Sequence, residues 1–392
     1  MIRKTSILLI SVIPLITSGC MFTSKASAPA AVAASSPPSY LYVTSGMCNT
    51  PAVGAQNGNR LITKFNLADG TSQNFYDFNA DGSYDEPGGT IDLGNAVLVA
   101  DNPFDNSLVN TKQIVSIDKT TKAKTIFYQD STYLPAGAAN TVRGMFRSPV
   151  DGDIYISTST AIQKVDFVSR FKLPNYSGVL ADGFFHSAAT AMGAIACNGV
   201  TAVATTLLNN FWITATGKAI VTHGVAAQNK FSVAPANGVN LTTDAGGTCL
   251  SSIQGVPLNA VNPPTIAAAA VNNIPNTVIL HAGSGKILVG ISAVAANGNS
   301  MLAYNYSDVT GVANAPVIAY YNVGNLFQPT AMVEDPATGN VYVASYGQLA
   351  SGAEGFIRKF SVNSGTGVMT DAGMFAQSPI TTKCVSSMFI GQ

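Results

Sequence analysis

The stretch Gly339-Asn-Val-Tyr-Val-Ala-Ser345, followed by Phe356-Ile-Arg-Lys-Phe360, contains the pattern that decides the fold. Three consecutive apolar residues, mostly β-branched or aromatic, are typical of a strand that is covered on both faces. The pattern occurs six times, and the first residues of successive copies lie 56, 57, 65, 68 and 54 positions apart. The chain is therefore built from one repeated unit. The copies are Tyr40–Ser45, Ala96–Asp101, Asp153–Thr158, Lys218–His223, Lys286–Ile291 and Asn340–Ser345.

Each copy is one strand of a larger unit. A second apolar run follows every copy, as at Leu61–Asn66, Gln113–Asp118 and Ala161–Asp166. A short apolar run and a glycine-containing turn precede the copy in most units, as at Ala331–Glu334 and Gly339, and at least three units have a further run. We therefore predict an all-β fold in which each unit is a four-stranded antiparallel meander. Six such sheets arranged radially form a six-bladed β-propeller.

The first unit and the last residues of the sequence complete each other. The first unit lacks a strand before Tyr40, and Cys384-Val-Ser-Ser-Met-Phe-Ile390 is a strand with no partner after it. We predict that this C-terminal strand pairs with the first unit and closes the ring, which hides both sheet edges. The stretches 177–210 and 238–275 do not fit the unit. We interpret them as insertions, with a seventh, degenerate blade as the alternative.

The motifs at 339–345 and 356–360 resemble those of the YVTN/NHL-type propeller families, and the resemblance extends over nearly all of residues 40–392. It implies the propeller fold. It does not select an activity, because those families include binding proteins, scaffolds and lactonase-like enzymes.

The composition excludes two classes of protein. Charged residues make up 10% of the chain, against about 25% in an average globular protein, and 47% of the residues are hydrophobic. Such a chain can build a core, so the bulk of it is not disordered. Lys+Arg and Asp+Glu both total 20, which leaves no basic surplus to neutralise phosphates. We therefore do not expect nucleic-acid binding.

The N-terminus has the features of a bacterial export signal. Residues 1–19 combine two basic residues with an apolar stretch, Ile7–Ile16, that is too short to span a bilayer. The stretch ends in Thr17-Ser-Gly-Cys20, which resembles the lipobox of bacterial lipoproteins. The resemblance implies cleavage before Cys20, a palmitate-type diacylglycerol on its thiol and, with Met21 next, attachment to the outer membrane. An ordinary secretory signal that is cut nearby is the alternative.

Residues 20–39 are dominated by Ala, Ser and Pro, a composition that cannot bury enough apolar surface to fold. This composition predicts that residues 20–39 form a tether between the lipid and a propeller domain at 40–392. We expect this domain to be a monomer.

Four cysteines follow Cys20, and an even number in an exported chain suggests two disulfides. Cys48 lies three residues past the strand that ends at Ser45, and Cys384 opens the C-terminal strand. Because the end of one strand lies opposite the start of its antiparallel neighbour, we predict a Cys48–Cys384 disulfide. A Cys197–Cys249 disulfide then follows by elimination.

One acidic loop has the spacing of a calcium site. The sequence Asp77-Phe-Asn-Ala-Asp-Gly-Ser-Tyr-Asp85 places oxygen ligands on alternate residues, with a glycine for the tight turn. An EF-hand is not completed, since its twelfth position is Gly88. The nine-residue form resembles the calcium loops of integrin-α-type propellers. The predicted ligands of Ca²⁺ are Asp77, Asn79, Asp81, the Ser83 carbonyl and Asp85, and a solvated loop without an ion is the alternative.

Three other residues are candidates for a binding site. Asp101 and His223 each end a copy of the pattern, near a rim where propellers often bind ligands. Arg143, at the start of a predicted innermost strand, would line the central channel. For each of them a hydrogen-bonded structural role is the alternative.

The sequence contains no GxSxG, HExxH or GxxxxGK[ST] motif, and Gly283-Ser-Gly-Lys286 is interpreted as a hairpin turn. We therefore predict an envelope-anchored propeller that binds a protein or a glycan. The alternative is a lactonase-like hydrolase with a metal at the channel mouth.

Overall fold

The computed structural model describes most of the repeated units and none of the first 38 residues. The described residues are 39–46, 60–80, 85–103, 113–129, 140–147, 149, 154–160, 165–171, 184–186, 208–216, 218–223, 230–235, 251–254, 273–293, 300–307, 311–312, 316–322, 326, 328–345, 355–378, 381–382 and 384–392. Within these ranges no helix is long and apolar enough to cross a bilayer.

The described strands form six antiparallel sheets, so the predicted all-β class is confirmed. Sheet one contains, in spatial order, β25 (Val385–Gly391), β1 (Tyr40–Ser45), β2 (Leu61–Asn66) and β3 (Ser72–Asp77). Sheet two contains β4 (Asp85–Asp92), β5 (Ala96–Pro103), β6 (Gln113–Asp118) and β7 (Lys124–Gln129). Sheet three contains β8 (Asn140–Arg147), β9 (Ile154–Thr160), β10 (Val165–Phe171) and β11 (Phe184–His186).

The remaining three sheets follow the same order. Sheet four contains β12 (Leu208–Ile213), β13 (Lys218–His223), β14 (Lys230–Pro235) and β15 (Ser251–Gln254). Sheet five contains β16 (Asn273–His281), β17 (Lys286–Ala293) and β18 (Ser300–Ser307), and both β19 (Gly311–Val312) and β20 (Val317–Tyr321) pair with β18. Sheet six contains β21 (Pro329–Glu334), β22 (Val341–Ser345), β23 (Gly355–Val362) and β24 (Met369–Ser378).

Two regions differ from the pattern expected of the sequence. The run predicted at 161–166 is found at Val165–Phe171, because β9 continues through Ser157-Thr-Ser-Thr160. The stretches 177–210 and 238–275 contain the short fourth strands β11 and β15 of sheets three and four. The possible extra strand of a seventh blade, at 265–271, lies outside the described residues.

The pairing expected between the C-terminal strand and the first unit is present. Tyr40 of β1 is the register partner of Gly391 in β25, and the rings of Tyr42 and Phe389 stack with their centroids 4.6 Å apart. Burial, with Asp92 nearby, raises the pKa of Tyr42 to about 12. Its hydroxyl therefore stays protonated and donates to the Gln392 carbonyl oxygen at 3.3 Å.

The first strand of each sheet contacts the first strand of the next. Glycine allows a close approach between β4 and β8, where a Cβ built on Gly89 would lie 2.7 Å from the Met145 nitrogen. The contacts between first strands join β25 to β4, β4 to β8, β8 to β12, β12 to β16, β16 to β21 and β21 to β25.

Apolar side chains fill the spaces between neighbouring sheets, since successive residues of a strand point to opposite faces. A buried cluster between sheets one and two contains Tyr42, Ile62, Phe75, Phe78, Val97, Val99, Val115, Ile117 and Phe389. Another, shared by sheets five and six, contains Ile279, Leu288, Met301, Ala303, Met332, Val341, Val343 and Phe360.

Candidate functional site

The two ends of the sheets carry connections of different length. At the end that we call the lower rim, the first and second strands of sheets two to six are joined by short turns, at 93–95, 148–153, 214–217, 282–285 and 335–340. At the opposite end, the upper rim, lie the connections from second to third strands and from each sheet to the next. The longest of these are 46–60, 104–112, 130–139, 187–207, 255–272 and 346–354. The lower rim also has two long connections, 172–183 and 236–250, between the third and fourth strands of sheets three and four, but the two longest of all, 187–207 and 255–272, are at the upper rim. Because long loops on a rigid scaffold are where binding residues concentrate, the upper rim is the candidate site.

Side chains hold several lower-rim turns in place. In the turn between β6 and β7, Asp118 Oδ1 accepts the N–H groups of Thr121 and Thr120 at 2.7 and 2.9 Å. These bonds, that from Thr121 above all, hold the pKa of Asp118 below its usual value. Asp335 and Asn363 each accept the N–H two residues ahead in the same way, at 3.0 Å. In such turns, side chains satisfy the hydrogen-bonding groups of the local backbone.

Two buried charged residues lie at the upper ends of adjacent sheets. Asp101 in β5 is 0% exposed and accepts a hydrogen bond from Gln113 Nε2 at 2.9 Å. Arg60, just before β2, is 3% exposed and has a positive φ of 38°. Its carbonyl accepts the Phe78 N–H at 3.0 Å, which ties the start of β2 to the residue after β3. A buried carboxylate, that of Asp101, and a buried guanidinium, that of Arg60, therefore lie at this part of the upper rim.

Hydroxyl groups join the inner parts of sheets one and two. Thr90 Oγ1 in β4 donates to Ser387 Oγ in β25 at 3.0 Å, and Thr44 Oγ1 in β1 donates to Thr90 Oγ1 at 3.4 Å. Ser386 Oγ donates to the Pro87 carbonyl oxygen at 2.9 Å. Serine and threonine thus make several of the polar contacts that the structure describes between these inner strands. At the lower end of β4, Asp92 forms an ion pair with Lys119 at 2.8 Å.

The structure describes part of the predicted calcium loop. Asp77 ends β3, and its Oδ1 accepts the backbone N–H of Asn79 at 2.8 Å and the side-chain Nδ2 at 3.0 Å. To bind a cation, Asn79 would have to present its amide oxygen instead. Asp81 and Ser83 lie outside the described residues, as does the side chain of Asp85. Across the described residues there is no group of three His, Cys, Asp or Glu that could hold a metal, so Ca²⁺ stays a prediction.

If the loop binds Ca²⁺, chelation should lower the melting temperature of the wild type, because carboxylates gathered around the ion would then repel one another. Added Ca²⁺ should restore the melting temperature better than Mg²⁺, which demands a tighter octahedron. The Asp81→Ala variant should melt at the same temperature with and without Ca²⁺. As a matched control, Asp69→Ala removes an exposed aspartate from the turn between β2 and β3 and should keep the response. A wild type that melts identically with chelator and with Ca²⁺ would contradict the site.

The two other binding candidates lie on strands that reach the site. His223 is the last residue of β13, at the upper end of sheet four, opposite Leu208. Arg143 belongs to β8, at the register shift between Val142 and Gly144. The side chains of both lie outside the described residues, so their roles remain predictions.

The backbone around Cys384 agrees with the predicted ring-closing disulfide. Cys384 is 5% exposed, and its carbonyl accepts the N–H of Gly46 at 3.0 Å, two residues before Cys48. Cys48, Cys197 and Cys249 lie outside the described residues, as does Cys20. The Cys48–Cys384 and Cys197–Cys249 pairings therefore stay predictions.

Peptide mapping without reductant should recover Cys48 joined to Cys384. Since this bond would close a loop of more than 300 residues, Cys48→Ser should lower the free energy of unfolding by up to about 5 kcal/mol, measured by urea titration under oxidising conditions. The same titration in reductant is the control, and there the two proteins should differ little. Recovery of Cys48 as a free thiol, or joined to another cysteine, would contradict the pairing.

Some polar contacts could not be predicted from the sequence. Thr44, Thr90 and Ser387 come together from three strands, and no spacing along the chain signals this. At the lower rim, His281 contacts Ser284 three residues on and Glu334 of sheet six. The His-to-Ser spacing is visible in the sequence, whereas the contact with Glu334 depends on how two sheets pack.

No protein-family model matches the chain, and no curated protein does. Among solved structures, it resembles a periplasmic gluconolactonase of Pseudomonas aeruginosa, with a TM-score of 0.49 at 11% identity over 90% of this chain and 99% of the other. A protein of Bacteroides uniformis described as a 6-phosphogluconolactonase gives 0.47 at 11% identity, over 90% and 99%. Regucalcin of Agrobacterium tumefaciens, described as a calcium-binding protein, gives 0.44 at 11% identity, over 80% and 85%.

Proposed function

We propose that the chain is a six-bladed β-propeller, closed by the pairing of β25 with β1, whose upper rim binds a protein or a glycan. The cyclic series of contacts between first strands supports the ring. The observation that supports the binding role is a difference between the rims. At the lower end, turns of three to six residues join the first and second strands of sheets two to six, although 172–183 and 236–250 are long. The two longest connections between described strands, 187–207 and 255–272, are at the upper end. A rigid scaffold that carries long loops on one face is suited to recognition.

The hydroxyl-rich contacts between sheets one and two also support binding. Hydrolysis would require several carboxylates or histidines that converge on the channel mouth. At the lower end of β4, Asp92 is paired with Lys119, and the side chains of Asp85 and Glu86 at its upper end lie outside the described residues. The other described polar contacts near β4 and β25 are made by the hydroxyl groups of Thr44, Thr90, Ser386 and Ser387. These groups donate and accept hydrogen bonds without charge.

Hydrolysis of a lactone is the second candidate function. The observation that favours it is the presence of Asp101 and Arg60, desolvated charges of opposite sign at the upper ends of adjacent sheets. Groups of this kind occur at catalytic sites as well as in structural pairs. Sugar lactones are the substrates to try first, since two of the similar structures are described as lactonases of that class.

One pair of assays separates the two functions. Acid release from a panel of sugar lactones is followed in a pH-stat, and binding to a glycan panel is followed by calorimetry, for the wild type and for Asp101→Asn. A lactonase should lose at least about tenfold in rate with this variant, as expected when a positioned charge is removed. A binding protein should release no acid from the lactones. Its binding to a member of the glycan panel should be weaker in Asp101→Asn, which alters the upper rim.

The matched control is Asp118→Asn, which alters an aspartate of the same sheet at the lower rim. It should leave both readouts unchanged. A chain that neither hydrolyses any lactone nor binds any glycan or isolated protein partner through the upper rim would contradict the proposal.

We further propose that Cys20 carries the lipid and that residues 20–39 tether the propeller to the outer membrane as a monomer. The Thr-Ser-Gly-Cys sequence supports this. The intact mass of detergent-extracted protein tests it, since a mature chain that begins elsewhere or lacks acyl mass would contradict it.

A further inference from the structure

The turn between β16 and β17, on the lower rim, brings a serine hydroxyl against a buried histidine. His281 is 2% exposed, and its Nδ1 lies 2.9 Å from Ser284 Oγ. Ser284 itself is half-buried, and its neighbours Gly283 and Gly285 are exposed. A hydroxyl and a base within hydrogen-bond reach, with the base oriented by a third group, is the arrangement that activates a serine nucleophile.

The hydrogen bonds of His281 fix which of its nitrogens carries the proton. Nε2 lies 3.0 Å from the carbonyl oxygen of Gly339, which can only accept. In the neutral ring Nε2 is therefore protonated, and Nδ1 has a free lone pair. The Ser284 N–H donates to this lone pair at 3.1 Å. Because Nδ1 can only accept, the Ser284 hydroxyl at 2.9 Å is the donor of this pair and shares the Nδ1 lone pair with the Ser284 N–H.

A carboxylate supports the other side of the ring. Glu334 Oε1, at the end of β21 in sheet six, lies 3.5 Å from His281 Nε2. Its Oε2 accepts the backbone N–H of Ala282 at 2.8 Å, which holds the carboxylate in place. The Glu334 side chain is 11% exposed. A proton gained by Nδ1 would thus produce an imidazolium next to a fixed, largely desolvated negative charge.

The positions on either side of Ser284 favour glycine. A Cβ built on Gly283 would lie 3.1 Å from His281 Cε1, so glycine allows the ring to pack against the turn. Gly285 has a φ of +63°, a conformation in which glycine is favoured. The turn thereby holds Ser284 between two exposed glycines and next to His281.

We propose that Ser284, His281 and Glu334 form a nucleophilic site that accepts acyl groups from small activated esters. Ser284 Oγ attacks the ester carbonyl carbon, and its proton passes to His281 Nδ1. The adduct expels the alkoxide, which takes the proton from Nδ1 and leaves as the alcohol. Water then attacks the acyl-serine, gives one proton to Nδ1, and the regenerated serine recovers it as the acid departs. Glu334 is a positioning residue that stabilises the imidazolium.

This site lies on the rim opposite the proposed ligand site and does not depend on it. The experiment is labelling of the full chain with a fluorophosphonate, followed by intact mass and peptide mapping. In this reaction the Oγ–P bond forms, the P–F bond breaks and fluoride leaves, while the proton goes to His281. We expect one label per chain, on Ser284, and none on Ser284→Ala.

Two further variants make the test specific. Ser364→Ala alters an exposed serine in the Asn363-Ser-Gly365 turn, which contains no histidine, and should leave labelling unchanged. Glu334→Gln keeps an acceptor for Ala282 but removes the charge, and should slow labelling about tenfold while the melting curve stays cooperative; His281→Gln should slow it about 10²-fold. Absence of label at saturating probe, label on another residue, or an equal rate for Glu334→Gln and wild type would overturn the proposal.

Discussion

A chain that lacks residues 385–392 but keeps Cys384 should lose cooperative unfolding. The deletion removes β25 and leaves one edge of β1 unpaired, and it exposes the core that Val385, Met388 and Phe389 cover, since these side chains are 2%, 7% and 8% exposed. At about 1.5–3 kcal/mol for each buried apolar side chain, the loss is about 5–9 kcal/mol. The total stability of a domain is about 5–15 kcal/mol. Urea unfolding followed by circular dichroism and by fluorescence should show this directly.

Two methionines provide the matched control for this result. Met388→Ala in β25 should cost about 2–5 kcal/mol, as is usual for truncation of a buried methionine. Met374→Ala in β24, where the side chain is 45% exposed, should change the free energy of unfolding by less than about 0.5 kcal/mol. If the truncated chain unfolds with the midpoint and slope of the full chain, β25 does not stabilise the fold.

Among replacements of a glycine by alanine in sheet two, Gly89→Ala should be the most destabilising. A Cβ at this position would lie 2.7 Å from the Met145 nitrogen and 2.9 Å from the Gly144 carbonyl carbon. These are backbone atoms of β8, so they cannot move aside as a flexible side chain would, and β4 and β8 must separate. Overpacking of this kind costs about 1–3 kcal/mol, and Gly89→Val should cost more.

The control for Gly89 is Gly365→Ala, where the new Cβ would lie 3.5 Å from Asn363 Oδ1, an ordinary contact. Thermal unfolding of the two variants under one set of conditions gives the comparison. Equal melting temperatures for Gly89→Ala and Gly365→Ala would show that the inner strands are not in close contact at Gly89.

The repeated strands could be predicted closely from the sequence. The runs expected at Tyr40–Ser45, Leu61–Asn66 and Gln113–Asp118 have the same bounds in the structure. Each combines at least two consecutive apolar residues with polar neighbours, so that local pattern and burial agree. The pairing of the first and last described strands was also predictable, because each lacked a neighbour in the sequence.

Short strands and contacts between sheets could not be predicted. The fourth strands β11 and β15 are only three and four residues long, too short for alternation to be distinguished from chance. Arg60 and Glu334 gave no local signal, because their burial depends on the packing of neighbouring sheets. The calcium prediction rested on spacing alone, and spacing does not reveal that Asp77 Oδ1 already accepts two hydrogen bonds from Asn79.

The pairing of β1 with β25 has a consequence for folding kinetics. Tyr42 and Gln392, which share a hydrogen bond, are 350 positions apart in the chain, so sheet one has a far higher contact order than the other five. Loop-closure entropy delays contacts of this kind. Sheets two to six can each assemble from consecutive strands, and sheet one must assemble last. Until then one edge of β1 is unpaired and can pair with strands of other chains. A higher protein concentration during refolding should therefore lower the yield of refolded protein more than it affects the stability of the native protein.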